Sequence, residues 1–185
     1  FINYGGIQAI QTLWAGPWML NVTGYTPLQS ATGLFWINIT MLVSYFIWGY
    51  ILPKISEYGI GSIKLIKLGL PVSYFSLFLI IYFGENSGAF LFTIYIMTSI
   101  VISLTQPAIA LNFSKNLAGK SLTSYNVFLF SGTFFIQWGI GLVIDLCNNK
   151  GFDIVSSYRI SFSAFLILCV LSYIFFIYLN KKKYE

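Results

Sequence analysis

Side-chain amides stand inside long apolar runs of this 185-residue sequence, at Gln8, Gln11, Asn38, Gln106, Asn126 and Gln137. An amide offers an acceptor and two donors but neither charge nor nucleophile, so its chemistry is recognition rather than reaction. It is costly to bury without a partner. At 3.6 residues per helical turn, Tyr4, Gln8, Gln11, Trp14 and Trp18 fall on one side of the first run. Asn38 pairs with Tyr45 in the second run, and Tyr95, Ser99 and Gln106 align in the fourth. Asn126, Phe130, Thr133 and Gln137 make a narrow stripe in the fifth. Two explanations fit such stripes: hydrogen bonds that glue helices together, or a shared polar cavity. The third run, IKLIKLGLPVSYFSLFLIIYF, and the sixth, YRISFSAFLILCVLSYIFFIYL, carry no amide. Four polar runs beside two bare ones favour the cavity.

Groups for covalent or metal chemistry are missing from the pattern. The chain has no histidine, and Cys147 and Cys169 fall at the edge of one apolar run and inside another. That placement suggests neither a disulfide framework nor a metal site. No Ser/Lys pair, metal motif or pair of carboxylates lies within a run, as an intramembrane enzyme would need. The expectation is a protein that is not an enzyme and uses no cofactor.

The stretch LWAGPWM adds a backbone feature to the first stripe. Proline at position 17 removes one helical hydrogen bond, so Gly16-Pro17 is expected to kink or end the helix. Pro107 beside Gln106 repeats the arrangement in the fourth run. Interrupted helices flanked by aromatics are a common way to build transporter sites and gates. A simple packing kink, or a helix end near the outer surface, accounts for the same residues.

The elements that position these residues follow from composition. Of all residues 57% are hydrophobic and only 8% charged, against roughly 25% charged in soluble domains. A bilayer span needs about 20 apolar residues, and six fit, over about 1–20, 31–52, 63–83, 88–110, 124–146 and 158–179. An all-α, multi-pass membrane protein is expected, with the lipid bilayer as its surroundings. The net charge of +5 does not imply nucleic acid, because of where the charges lie. Lys54, Lys64, Lys67, Lys115, Lys120 and the tail Lys181-Lys182-Lys183 fall on one side, and only Lys150 and Arg159 on the other. Positive charge marks the cytoplasmic face, which puts both ends of the chain in the cytoplasm.

Three stretches in this order resemble the C-terminal half, helices seven to twelve, of a bacterial major facilitator superfamily transporter. QTLWAGPWML resembles the outer end of the seventh helix. WGYILPKISEYGI resembles the family's cytoplasmic G-x-L-x-D-R-x-G-R loop, with Gly49 and Lys54 retained and Pro53 in place of the acid. AIALNFSKNLAGKSLTSYNVFLFSGTFFIQWGIGLVIDL resembles the tenth-to-eleventh region, through the connector Ala118-Gly119-Lys120, Asn126, Phe130 and the run from Gln137 to Gly141. The resemblance implies one half of a twelve-helix bundle whose seventh, eighth, tenth and eleventh helices line a cavity, while the ninth and twelfth lie outside. It also implies a missing N-terminal half as partner, and Phe1 would then begin just inside the seventh helix.

The expected function is secondary active transport of a small solute across the bacterial inner membrane by alternating access. No span carries a carboxylate near its middle; Asp145 lies near the outer end of the fifth and Glu85 in a loop. Any coupling carboxylate is therefore expected in the other half. The alternatives are a channel and the membrane domain of an ATPase-coupled transporter. The loops are short for a filter, and the inner loop around 53–62 is small for a coupling helix.

Overall fold

A computed structural model describes residues 1–182, and among these every regular element is helical. We number six helices. α1 (2–21) joins Ile2–Ala9, a π-helical stretch Ile10–Trp14, and Ala15–Asn21 without a break. α2 is Pro27–Glu57, α3 Ser62–Phe83, α4 Ala89–Leu111, α5 Lys115–Asn149 and α6 Ile154–Lys182. Five of them, α2 to α6, are long and apolar enough to cross a membrane. At about 1.5 Å per residue, the 20 residues of α1 would reach roughly 30 Å.

Three expected boundaries move. α2 starts at Pro27, because Thr26 and Gln29 form a reciprocal capping box around the proline, satisfying free amides of the first turn. It then runs through Pro53 to Glu57. Gly49 and Lys54 therefore lie on a helix rather than in the loop that the sequence suggested. Lys54 folds back four residues onto Tyr50, 2.5 Å from its hydroxyl and 3.9 Å from the ring centre. α5 starts nine residues earlier than the run at 124, so Ala118-Gly119-Lys120 is helix and not a connector. There Ser121 and Thr123 donate to the carbonyls of Ala118 and Gly119, so these polar residues are compatible with helix. Of the basic tail, Lys183 lies outside the described residues.

Each helix packs against the next in the ring α1, α2, α4, α3, α6, α5, which closes back on α1. α1 also leans across the ring onto α6 and the middle of α4. The tightest crossing is α1 on α5. A Cβ on Gly5 would stand 2.5 Å from the Gly132 carbonyl carbon, and one on Gly132 would stand 2.7 Å from the Phe1 oxygen. The core is apolar, built on Ile37, Leu77, Ile80, Phe92, Ile96 and Phe162. Outside the spans, Asp153 caps α6 by accepting from the Ser156 amide at 2.9 Å. Its hydrogen bonds from Ser156 hold the carboxyl below the usual carboxylate range.

Proline inside a helix leaves the carbonyl four residues earlier without its donor. Pro71 does this to Lys67, and the Tyr173 hydroxyl of α6 donates to that carbonyl at 2.8 Å. Tyr173→Phe is expected to lower stability by about 1 kcal/mol, read from thermal unfolding in detergent. In a Pro71→Ala background, where residue 71 supplies its own amide, the same change is expected to cost much less. Equal costs in both backgrounds would show that the hydroxyl does not compensate the proline.

Candidate functional site

The π-helical stretch Ile10–Trp14 lies where Gln11 and Trp14 were singled out. Pro17 cannot donate to Leu13, which is in that stretch, and the helix yields one turn upstream of Gly16-Pro17 instead of ending there. Gly16 itself is buried, and its carbonyl accepts from Ser30 of α2 at 3.4 Å. In α4 the turn before Pro107 likewise departs from α geometry, as a 3₁₀ segment over Ile100–Leu104. π-turns inside α-helices recur at functional sites.

Around the π-turn the structure assembles a polar seam from three helices. Gln11 donates through Nε2 to Oδ1 of Asn38 on α2 at 2.5 Å, and Asn38 donates to the Leu34 carbonyl at 2.7 Å. Gln137 on α5 donates through Nε2 to Oγ1 of Thr12 at 2.9 Å, and Thr12 donates on to the Gln8 carbonyl at 2.6 Å. Trp14 donates through its indole N–H to the Gln137 carbonyl at 3.1 Å. Thr12 and Asn38 are exposed, and Gln8, Gln11, Trp14 and Gln137 half-buried. Among the described residues no donor reaches Oε1 of Gln11 or of Gln137, so two amide oxygens remain open at an uncharged surface. Such a surface can accept hydroxyl or amide donors from a neutral solute.

Other residues of the stripes are placed elsewhere. Trp18 is fully buried, donates to Ser87 Oγ at 2.8 Å, and packs against Phe92, Tyr158 and Phe162. Tyr95 is buried as well. Neither joins the seam. Tyr45 is exposed and lies beside Tyr4, toward the other end of α1. Gln106 and Pro107 are half-buried and Asn126 is exposed, and none of them shares a side-chain hydrogen bond with the seam. Thr12 and Asn3 are not among the stripe residues that the sequence pattern marks. Asn3 accepts from the Tyr74 hydroxyl at 2.8 Å and reaches Ser172 at 3.5 Å, tying α1 to the two helices without amides in their runs. The signal for Thr12 is its position four residues after Gln8, the spacing at which a hydroxyl meets a helical carbonyl.

No family model, curated protein or solved structure matches this chain.

The Gln11–Asn38 pair allows a direct measurement. Gln11→Leu and Asn38→Leu, alone and combined, are expected to show a coupling of about 0.6 kcal/mol, the size typical of interhelical hydrogen bonds in membrane bundles. The readout is unfolding in detergent. Additive losses would mean that the two amides do not meet.

Proposed function

We propose that this chain is the C-terminal half of a secondary transporter of the major facilitator type in a bacterial inner membrane. It moves a small polar solute by alternating access. The observation that carries the proposal is the position of the seam. Gln11 bonds to Asn38, and Gln137 to Thr12, on a partly exposed face shared by α1, α2 and α5. A polar face of this kind is costly against lipid, whereas a second six-helix bundle with water and solute between would use it. The basic residues support the orientation, with both ends of the chain cytoplasmic. Lys54, Lys64, Lys67 and Lys120 gather at the ends where α2 stops and where α3 and α5 begin. Arg159 sits at the opposite end, its guanidinium directed to the Tyr82 carbonyl near Gly84.

Thiol labelling of the full-length protein in right-side-out and inverted vesicles tests the proposal. Cysteines replace Gln11, Gln137 or Leu171 one at a time, the last on an exposed apolar part of α6, in a Cys147→Ser background. A membrane-impermeant thiosulfonate is expected to label positions 11 and 137 from either side and to spare 171. Protection of 11 and 137 to the level of 171 would show that the seam is packing, not a water-filled path. Two-sided labelling that appears only with ATP would instead assign the chain to an ATPase-coupled transporter.

A further inference from the structure

Beside the seam, toward the later end of α5, a groove of about 330 Å³ opens between α1 and α5. Phe134, Trp138 and Asp145 recur along α5 at helical spacing, with Gln137 and Gly141 between them, and Trp14 closes the other wall. The indole of Trp14 is fixed there in two ways. Its N–H donates to the Gln137 carbonyl, and its ring edge lies so near α5 that a Cβ on Gly141 would stand 3.1 Å from it. Gly141 is what lets the ring edge come this close to the helix.

Asp145 is the carboxylate that these walls lead to. The other acids are placed differently: Glu57 ends α2, Glu85 lies in a 3₁₀ turn, Asp153 caps α6, and Glu185 is beyond the described residues. Asp145 is exposed near the end of α5, where its carboxylate is open to a ligand. Of the basic residues at this end, Lys150 follows the last turn of α5, and Arg159 on α6 directs one guanidinium nitrogen to the Tyr82 carbonyl at 3.4 Å. Aromatic faces attract organic cations, more strongly where water is excluded. An inorganic cation would keep its water and gain little from indole faces, whereas an alkylammonium presents apolar surface to the rings and charge to the carboxylate.

We propose that the groove formed by Trp14, Phe134, Trp138 and Asp145 binds a monovalent organic cation, an alkylammonium, with Gln137 at its inner end to take a polar group of the same molecule. This rests on the transporter reading only for its purpose, since binding itself needs no transport. Gln137 and Asp145 are eight residues apart, about 12 Å along a helix axis, which suits an elongated amine better than a compact one.

Equilibrium binding to the full-length protein in nanodiscs, read by indole fluorescence at fixed ionic strength, tests the proposal. The probes are choline, which is short enough to test the carboxylate end of the groove alone, and 3,3-dimethyl-1-butanol, its uncharged carbon counterpart. Choline is expected to bind at least about tenfold more tightly, a difference of about 1.4 kcal/mol. Asp145→Asn is expected to abolish the difference and Asp145→Glu to keep most of it, with unchanged helical circular dichroism in both. Equal affinities for the two probes in the wild type would overturn the cation site, and that comparison needs no variant to fold. So would choline affinity unchanged by Asp145→Asn. Failure here with two-sided labelling of positions 11 and 137 removes the cation site alone. Intact choline discrimination with protected positions 11 and 137 removes the transport cycle alone.

Discussion

The rest of the bundle depends on the backbone contact of α1 with α5 at Gly5 and Gly132. Either glycine given a Cβ would drive it to within 2.7 Å of main-chain atoms on the other helix, and main chain cannot swing aside as a side chain can. Between apolar helices in lipid there is no hydrophobic gain on association, and close packing of small residues is the main attraction left. Once the two helices touch there, their registers follow. Thr12 comes within reach of Gln137, and the Trp14 ring meets Gly141. Both the seam and the groove are consequences of that crossing.

The second constraint is the hydrogen-bonding of backbone in helices apolar enough to cross a membrane, where little water would be at hand. Prolines at 17, 53, 71 and 107 each remove a donor; Pro53 lies in the last turns of α2, near the helix end, and at the other three the fold answers in two ways. At Pro71 the helix stays regular, and a tyrosine from α6 covers the carbonyl that the proline leaves. At Pro17 and Pro107 the preceding turn changes pitch instead, to π in α1 and 3₁₀ in α4. The first answer locks two helices together. The second leaves a local departure from the α ladder, and in α1 that departure holds Gln11, Thr12 and Trp14. The difference follows the packing: Tyr173 is at hand beside Lys67, and no side-chain donor reaches Leu13 among the described residues.

Helices were legible because apolar runs of about 20 residues admit little else. Their ends were not. Lys115 to Ser124 reads as polar loop, yet the hydroxyls of Ser121 and Thr123 bond to the helix that they sit on, and no proline interrupts it. Within α1 the side-chain stripe was half legible. Counting at 3.6 residues per turn assumes a regular helix, and a π-turn inserts one residue, rotating all that follows by about 100°. Gln8 and Gln11 precede or share the irregular turn and keep their open side. Trp18 comes after it and turns into the core against Phe162. Gly16-Pro17 announces a disturbance in the sequence, but no residue pattern says whether the helix will end, kink or take on a π-turn.

The separation of neutral seam from charged groove has its own energetic logic. A lone carboxylate at the depth of Gln11 would carry a desolvation cost of several kcal/mol, which only a permanent partner could offset. Such a partner would compete with any ligand. Amides avoid the problem, because each contact nets about 0.5–1.5 kcal/mol, weak enough to be exchanged for contacts with a ligand. Asp145 sits instead near the end of α5, exposed, where water still stabilises the empty site. A cation arriving there trades water for indole faces and a carboxylate, and then finds only uncharged partners further along α1 and α5. Charge at the mouth selects the ligand, and neutrality beyond it keeps the ligand from being trapped.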